Sequence, residues 1–371
     1  MCSSDLPQFE SKEGDLDHKS QEMLNQSINL ESFDVLARGG TRIIGEVHKD
    51  NSGKVTQNGV SSIYDKSTNI NQDTIVGIGS IGKEHTTATI LKLWDNELSR
   101  SKQDEKSVTE PWFVDKEGNV GLKVKLSRFI PLLKERYPDC SDFFNQIEKY
   151  DYFDKITLED LLNHEHGLGA RDNDQMFDLM TQKAKANDDS PLNLSDIVKS
   201  SKKRGDFDRY GEHAYGNLGY DLVAMIAEGI TNQPFDKVVR DTILTPYGLD
   251  NTYTQSDNQS LYQRGDLDVA QGFYQHGDKG EANFNKFTNT RGAGGMKSTI
   301  EDLDKFAKLF MTGDMFDNEQ VKAQLKDRGS RDYHLAIQDN KDGSFGHHGN
   351  DMVFESNIKF NPIDRKSTRL N

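Results

Sequence analysis

Gly77-Ile78-Gly79-Ser80-Ile81-Gly82-Lys83 runs into a helical pattern from Glu84 to Trp94, and three chemistries can be read into those seven residues. Ser80 and Lys83 form S-x-x-K, a nucleophile with an amine one helical turn away. Gly77, Gly79 and Gly82 spell the dinucleotide pattern G-x-G-x-x-G, and Gly77 to Lys83 spells most of a phosphate-binding P-loop. Fold and function both turn on which reading holds.

A dinucleotide fold needs a second strand after the helix, with an acidic residue about 20 residues on. Here Glu97 to Lys106 is charged and shows no strand pattern. A P-loop needs Ser or Thr after its lysine to ligate magnesium, and Glu84 stands there, a carboxylate that would repel phosphate. The S-x-x-K reading needs Ser80 in the first turn of a helix, where amide hydrogens and the dipole favour a developing oxyanion. A neighbouring amine eases removal of the serine proton. Taken alone, the motif is also satisfied by a serine N-cap followed by a surface lysine.

Bulk composition narrows the field. The 371 residues carry 46 Lys+Arg against 61 Asp+Glu, a formal charge of -15, which argues against a nucleic-acid or anionic-membrane partner. No run approaches the roughly 20 apolar residues of a membrane span. Met1 to Ser20 has no secretory signal pattern. Cys2 and Cys140 are too few for a disulfide framework and lack metal spacing. Residues 1–32 read as a flexible polar segment with a short helix around Ser20 to Ile28. Cys2 to Leu6 and Arg365 to Asn371 read as sequence foreign to the natural chain, with residues 363–371 a non-native tail.

Thr41 to Val47 and Lys54 to Tyr64 read as strands around a polar turn, and Asp73 to Val76 as an extended approach to the glycine turn. Ile90, Leu91, Leu93, Trp94 and Leu98 repeat at helical spacing. Ser99 to Asn119 reads as a polar surface insertion, and a helix-rich middle follows from Lys123 to Thr242. Within it Thr157-Leu158-Glu159-Asp160 opens a helix with a capping-type start, and Tyr220 to Ile230 forms another. Ile300 to Met311 is amphipathic, and strand-like segments lie around Tyr333 to Gln338, Phe345 to His348 and Met352 to Phe360. Strands, a helical body, then strands again predict one sheet assembled from both chain ends.

Order and company decide between the readings. Leu161-Leu162-Asn163-His164 precedes Gly167-Leu168; His213-Ala214-Tyr215-Gly216-Asn217 stands before an apolar helix; Ala293-Gly294-Gly295-Met296-Lys297-Ser298-Thr299 and Gly346-His347-His348-Gly349 follow. With Ser80 and Lys83 these elements resemble, in order, the serine β-lactamase and penicillin-binding-protein-like hydrolases. The likeness is to the class C-like branch with its esterases and D-amino-acid peptidases, over roughly residues 33–362. The resemblance implies Ser80 as the acylated nucleophile, Lys83 as its proton-transfer partner and Tyr215 as general base and then acid. It implies substrate-positioning roles for Asn217, His347, Gly349 and Asn350, with the amides of Ser80 and Asn350 as oxyanion hole. Tyr215 and Asn217 could also be a buried aromatic and its helix cap, and His348 reads as a strand-surface residue. His164-Glu165-His166 invites a metal reading but lacks the H-E-x-x-H helical spacing, so both histidines read as structural.

Three departures stand out. His166 occupies the family's usual serine position, Asn350 the position of a small residue, and His347 that of the lactamase lysine. The family pattern also calls for a last strand between the N-terminal strands and the H-x-G strand, then a helix; the chain shows no candidate for either after Pro362.

The expected fold is α+β, β-lactamase/transpeptidase-like. An antiparallel sheet subdomain spans residues 33–79 and 291–362, with a mostly helical subdomain over 80–290 and the C-terminal strand and helix missing. The expected function is a serine hydrolase forming an acyl-enzyme on a small ester or D-amino-acid peptide in preference to a β-lactam, without metal or organic cofactor. A catalytically silent binder of peptide or cell-wall fragments on the same fold is the alternative, and a P-loop nucleotide binder the remote one. The expected partner is a small-molecule or peptide substrate, with no nucleic acid and no membrane span.

Overall fold

The computed structural model describes residues 32–39, 42–50, 52–59, 69–103, 111–169, 194–199, 209–257, 261, 267–270, 274–275, 281–282, 291–327, 331–350 and 354–360. Both chain ends build one antiparallel sheet. The N-terminal part supplies β1 (Ser32–Gly39), β2 (Arg42–Lys49) and β3 (Val55–Gly59). Short pairs follow: β4 (Val76–Gly77) with β7 (Lys297–Ser298), and β5 (Tyr274–Gln275) with β6 (Glu281–Ala282). The C-terminal part supplies β8 (Tyr333–His334), β9 (Ile337–Asp339), β10 (Phe345–Asn350) and β11 (Phe354–Phe360). The seven-stranded order is β3-β2-β1-β11-β10-β9-β8.

The gap expected in the middle of this sheet is not there. β11 pairs antiparallel with β1 from Ser32↔Lys359 to Ala37↔Phe354, and with β10 from Phe345↔Phe360 to Asn350↔Glu355. Its side chains alternate, with Phe354, Ser356, Ile358 and Phe360 all buried. The strand thus occupies the position between β1 and the H-x-G strand and satisfies the ladder on both sides. The positions after Pro362, where the helix is expected to be missing and residues 363–371 read as a non-native tail, lie outside the described residues, as does the polar segment read at 1–32 with its short helix, apart from Ser32, which opens β1.

Behind the glycine turn, α1 (Gly82–Gln103) carries Ala88, Ile90, Leu91 and Trp94 into the core. It is longer than its sequence pattern suggested. The segment read as a surface insertion folds back on it: the amides of Trp112 and Phe113 donate to the Glu97 carboxylate at 2.7 and 3.0 Å, and Phe113 is buried. Residues 104–110 lie outside the described residues, as do 60–64 of the strand read at Lys54 to Tyr64.

The helical side continues with α2 (Ile130–Arg136), α3 (Ser141–Ile147), α4 (Leu158–Leu162) and α5 (Leu194–Lys199). α4 starts as its sequence indicates: the Thr157 hydroxyl accepts from the Asp160 amide, and Asp160 accepts from the Thr157 amide at 2.8 Å. α6 (Leu218–Thr231) is mostly apolar and buried from Leu218 to Glu228, with Asp221 and Glu228 its buried carboxylates, and packs against α1, α2, α4, α5 and α7 (Phe235–Val239). Such a helix belongs in the centre of a core. α8 (Ile300–Thr312) lies against β1, β2 and β11, capped by Thr299 and closed by Gly313 at φ +77°; α9 (Glu319–Lys326) follows.

Candidate active site

The sheet and the helices meet at the turn after β4. Gly79 adopts φ +49°, where a side chain is strained, and a Cβ there would lie 2.5 Å from the Asn350 backbone nitrogen. The end of β10 is therefore pressed against the turn that carries Ser80. Gly349 makes the same fit from the other side, since its Cβ would lie 2.0 Å from the Ile78 carbonyl oxygen. The Ser356 hydroxyl donates to that carbonyl at 2.8 Å and locks β11 to the turn. Ser80 sits half-buried in a single 3-10 turn, Gly79–Ile81, that runs directly into α1. First-turn amides of this kind have no acceptor within their own helix.

Lys83, one turn on, is fully buried. Its Nζ meets three acceptors: Ser80 Oγ at 3.0 Å, Asn217 Oδ1 at 2.8 Å and the Ala293 carbonyl at 2.9 Å. The ammonium form donates to all three at once. The Ala293 carbonyl is within reach because Gly82 lacks a side chain; a Cβ there would lie 2.9 Å from Gly294 Cα. Asn217 is the residue before α6, and Tyr215 stands two positions earlier, 46% exposed, with Lys83 Nζ 4.9 Å from its ring centroid. Ser80, Lys83, Tyr215 and Asn217 thus come together as a cluster.

This arrangement is unlike a nucleotide site. Lys83 points inward, Gly77 pairs antiparallel with Lys297, and every pair in the main sheet is antiparallel, whereas both nucleotide readings require a parallel sheet. His164 and His166 each use Nδ1 to accept a backbone N–H, from Gly216 at 3.4 Å and Leu168 at 3.0 Å. Among the described residues no group of three or more His, Cys, Asp or Glu is arranged to hold a metal ion.

His347 is buried on β10, and its two nitrogens meet protein groups. Nδ1 lies 2.6 Å from the His348 carbonyl and Nε2 lies 3.0 Å from the Tyr333 hydroxyl. A carbonyl only accepts, so Nδ1 carries the proton and Nε2 accepts from Tyr333. Burial, reinforced by the charge of Lys83, pushes His347 down to about 3. Tyr333 in turn lies 3.5 Å from the Tyr220 hydroxyl, which donates to the Leu162 carbonyl at 2.6 Å. Burial raises both phenols above their ordinary range. Glycine 349 serves packing and Asn350 is exposed, its amide side chain 3.5 Å from Glu355.

Beside the cluster, and sharing Tyr215 with it, lies a cavity of about 520 Å³ lined by His213, Asp332, Tyr333 and the turn from Gln338 to Lys341; Ser80 and Lys83 do not line it. Tyr333, Tyr220 and His164 escaped the sequence reading as site residues. His164 alone had a local signal, its position in L-L-x-H.

The family model described as Beta-lactamase matches residues 45–366. Among curated proteins, a "Putative D-alanyl-D-alanine carboxypeptidase" of Salmonella schwarzengrund is 26% identical over 136 residues, 37% of this chain and 28% of that protein. The match thus spans less than a third of that relative's length. Among solved structures, the octameric penicillin-binding protein homologue from Pyrococcus abyssi superposes with a TM-score of 0.55 at 16% identity, covering 92% of this chain and 73% of that one. The D-amino acid amidase from Ochrobactrum anthropi gives 0.52 at 17% identity, covering 91% of each chain. A D-stereospecific amidohydrolase from Streptomyces gives 0.55 at 16%, covering 93% and 94%.

Proposed function

This chain belongs to the Beta-lactamase family, and on that premise we propose that it is a serine hydrolase working through an acyl-enzyme on an ester or amide. The observation that carries the proposal is the position of Lys83 Nζ, in contact with Ser80 Oγ and Asn217 Oδ1 and over the ring of Tyr215. With one proton removed, Lys83 keeps donors for Asn217 and Ala293 and turns its lone pair to the Ser80 hydroxyl.

Ser80 Oγ then attacks the carbonyl carbon as its proton passes to Lys83, with Tyr215 relaying protons between amine and leaving group. The oxyanion forms where the amides of Ser80 and Asn350 face it; donors so aimed contribute a few kcal/mol each. Collapse expels the alcohol or amine with the relayed proton, and water repeats the sequence to free the acid. An uncharged His347 offers no cation to a substrate carboxylate. This favours small esters, and D-amino-acid peptides cleaved away from their C-terminal carboxylate, over β-lactams, in keeping with the D-amino acid amidase among the structural neighbours.

The test is intact mass after treatment with a fluorophosphonate, with Ser80→Ala alongside and folding checked by thermal melt. A single adduct at Ser80, absent from the variant, is expected. A folded chain without an adduct would instead indicate a binder of peptide or cell-wall fragments.

A further inference from the structure

His164 is the residue whose geometry the proposed chemistry does not yet use. It follows α4 at φ +61°, in the left-handed region that non-glycine residues rarely adopt. That conformation turns its carbonyl and its imidazole toward the same loop. The Ala214 amide donates to the His164 carbonyl at 2.8 Å, and the Gly216 amide donates to His164 Nδ1 at 3.4 Å. These are the N–H groups of the two residues that flank Tyr215. The imidazole itself packs on the Tyr215 ring, with centroids 4.4 Å apart.

Its neighbours extend the grip. The Asn163 carbonyl accepts from His213 Nδ1 at 3.0 Å, and the Glu165 carbonyl accepts from the Gly211 amide at 2.8 Å. The turn after α4 therefore holds the loop 211–217 along its length, with His164 at Tyr215. An accepting Nδ1 requires the proton on Nε2, and that buried Nε2 has no hydrogen-bond partner among the described residues. Strained backbone and an unsatisfied buried donor at one residue, beside a candidate base, are features that surrounding structure retains for function.

We propose that His164 is a positioning residue for Tyr215, holding the phenol over Lys83 by gripping the N–H groups of the residues on both sides of it. The inference rests on the acyl-enzyme reading above. His164 stays uncharged, because burial first and the charge of Lys83 second hold it well below the ordinary histidine range. The groups that face it are Lys83 from α1, His166 from its own turn, His213 and Tyr215 from the loop, Tyr220 from α6, Tyr333 from β8 and His347 from β10.

The experiment compares His164→Gly with His164→Asn. Both residues enter the left-handed region readily, and both lack the ring, but asparagine restores an acceptor at the δ position, its Oδ1 standing for Nδ1. Turnover of p-nitrophenyl acetate is expected to fall about a hundredfold in kcat for His164→Gly, with KM within threefold, the loss typical of a misplaced catalytic group. His164→Asn is expected to recover about tenfold of that, the two variants melting alike. Equal kcat in the two variants, or no loss in either, would overturn the proposal. Should neither variant fold, 15N NMR of the wild-type ring decides: a protonated Nε2 and bare Nδ1 at neutral pH support the grip, and a protonated Nδ1 excludes it. A wild type that neither turns over ester nor takes a fluorophosphonate at Ser80 refutes the acyl-enzyme reading, while the ring tautomer still reports on the grip.

Discussion

Tyr333 donates its hydroxyl proton to Nε2 of His347 across 3.0 Å, so the histidine of the H-x-G strand turns no free lone pair toward the cleft. A donor on Nε2 stabilises the neutral ring. Tyr333→Phe removes it and should raise the His347 titration by about one pH unit, the worth of one hydrogen bond. Following the His347 ring by NMR through an acid titration tests this; an unmoved titration would show that burial alone sets it.

Gly79→Ala should damage chemistry more than stability. The added methyl meets the Asn350 backbone at 2.5 Å, and the φ of +49° disfavours it further. The strain is relieved by moving β10 away from Ser80, which separates the two amides proposed to share the oxyanion. Losing one such donor costs a factor of about 100 to 1,000 in kcat. Stopped-flow acylation measures it, and a rate within threefold of wild type would remove Asn350 from the oxyanion site.

Three buried histidines set the expected response to acid. Burial pushes His85 down to about 4, His347 down to about 3 and His164 well below its ordinary value. Each folded value lies below the unfolded one near 6.5. The unfolded chain therefore binds more protons between those limits. The stability they provide is fully present above about pH 6.5 and is lost as pH falls toward the folded values, at up to roughly 1.4 kcal/mol per pH unit for each histidine. His85→Leu, against the Phe306 ring that His85 stacks on at 3.7 Å, should flatten the fall in melting temperature between pH 6 and 4.5.

Asn163→Ala should loosen the wall of the cleft. Its Oδ1 accepts from the Leu335 amide at 2.8 Å, at the hairpin turn where Leu335 and Ala336 both take positive φ. Two-residue hairpins demand that conformation, but neither residue favours it. Without the acceptor a buried N–H is left unsatisfied, a loss of about 1–3 kcal/mol read by denaturant unfolding.

The parts of this molecule written in consecutive residues were legible. Ser80 and Lys83 share a helix face by spacing alone, the Thr157–Asp160 box marks the start of α4, and the periodicity of Ile300 to Met311 gives α8 within a residue. What depended on distant segments was not. β1 went unread as a strand because what fixes it is pairing with β2 on one edge and with the distant β11 on the other. β11 was read as a strand but not as the one that closes the sheet, because the family pattern supplied an extra strand for that position. Tyr333 and His164 joined the site because α4, α6 and β8 converge there, and no spacing in the sequence records that convergence.

The direct pairing of β1 with β11 also governs how the chain must fold. The two strands are separated by about three hundred residues, so their contact is among the most non-local a domain can contain, and such contacts form slowly. During synthesis β1 emerges first and waits with one edge unpaired while the helical body collapses. An unpaired edge of that kind recruits other chains. The strand that completes the sheet is therefore also the one that ends the period in which the nascent protein is prone to aggregate, and crowding or heat during that interval should lower yield well before it affects the finished fold.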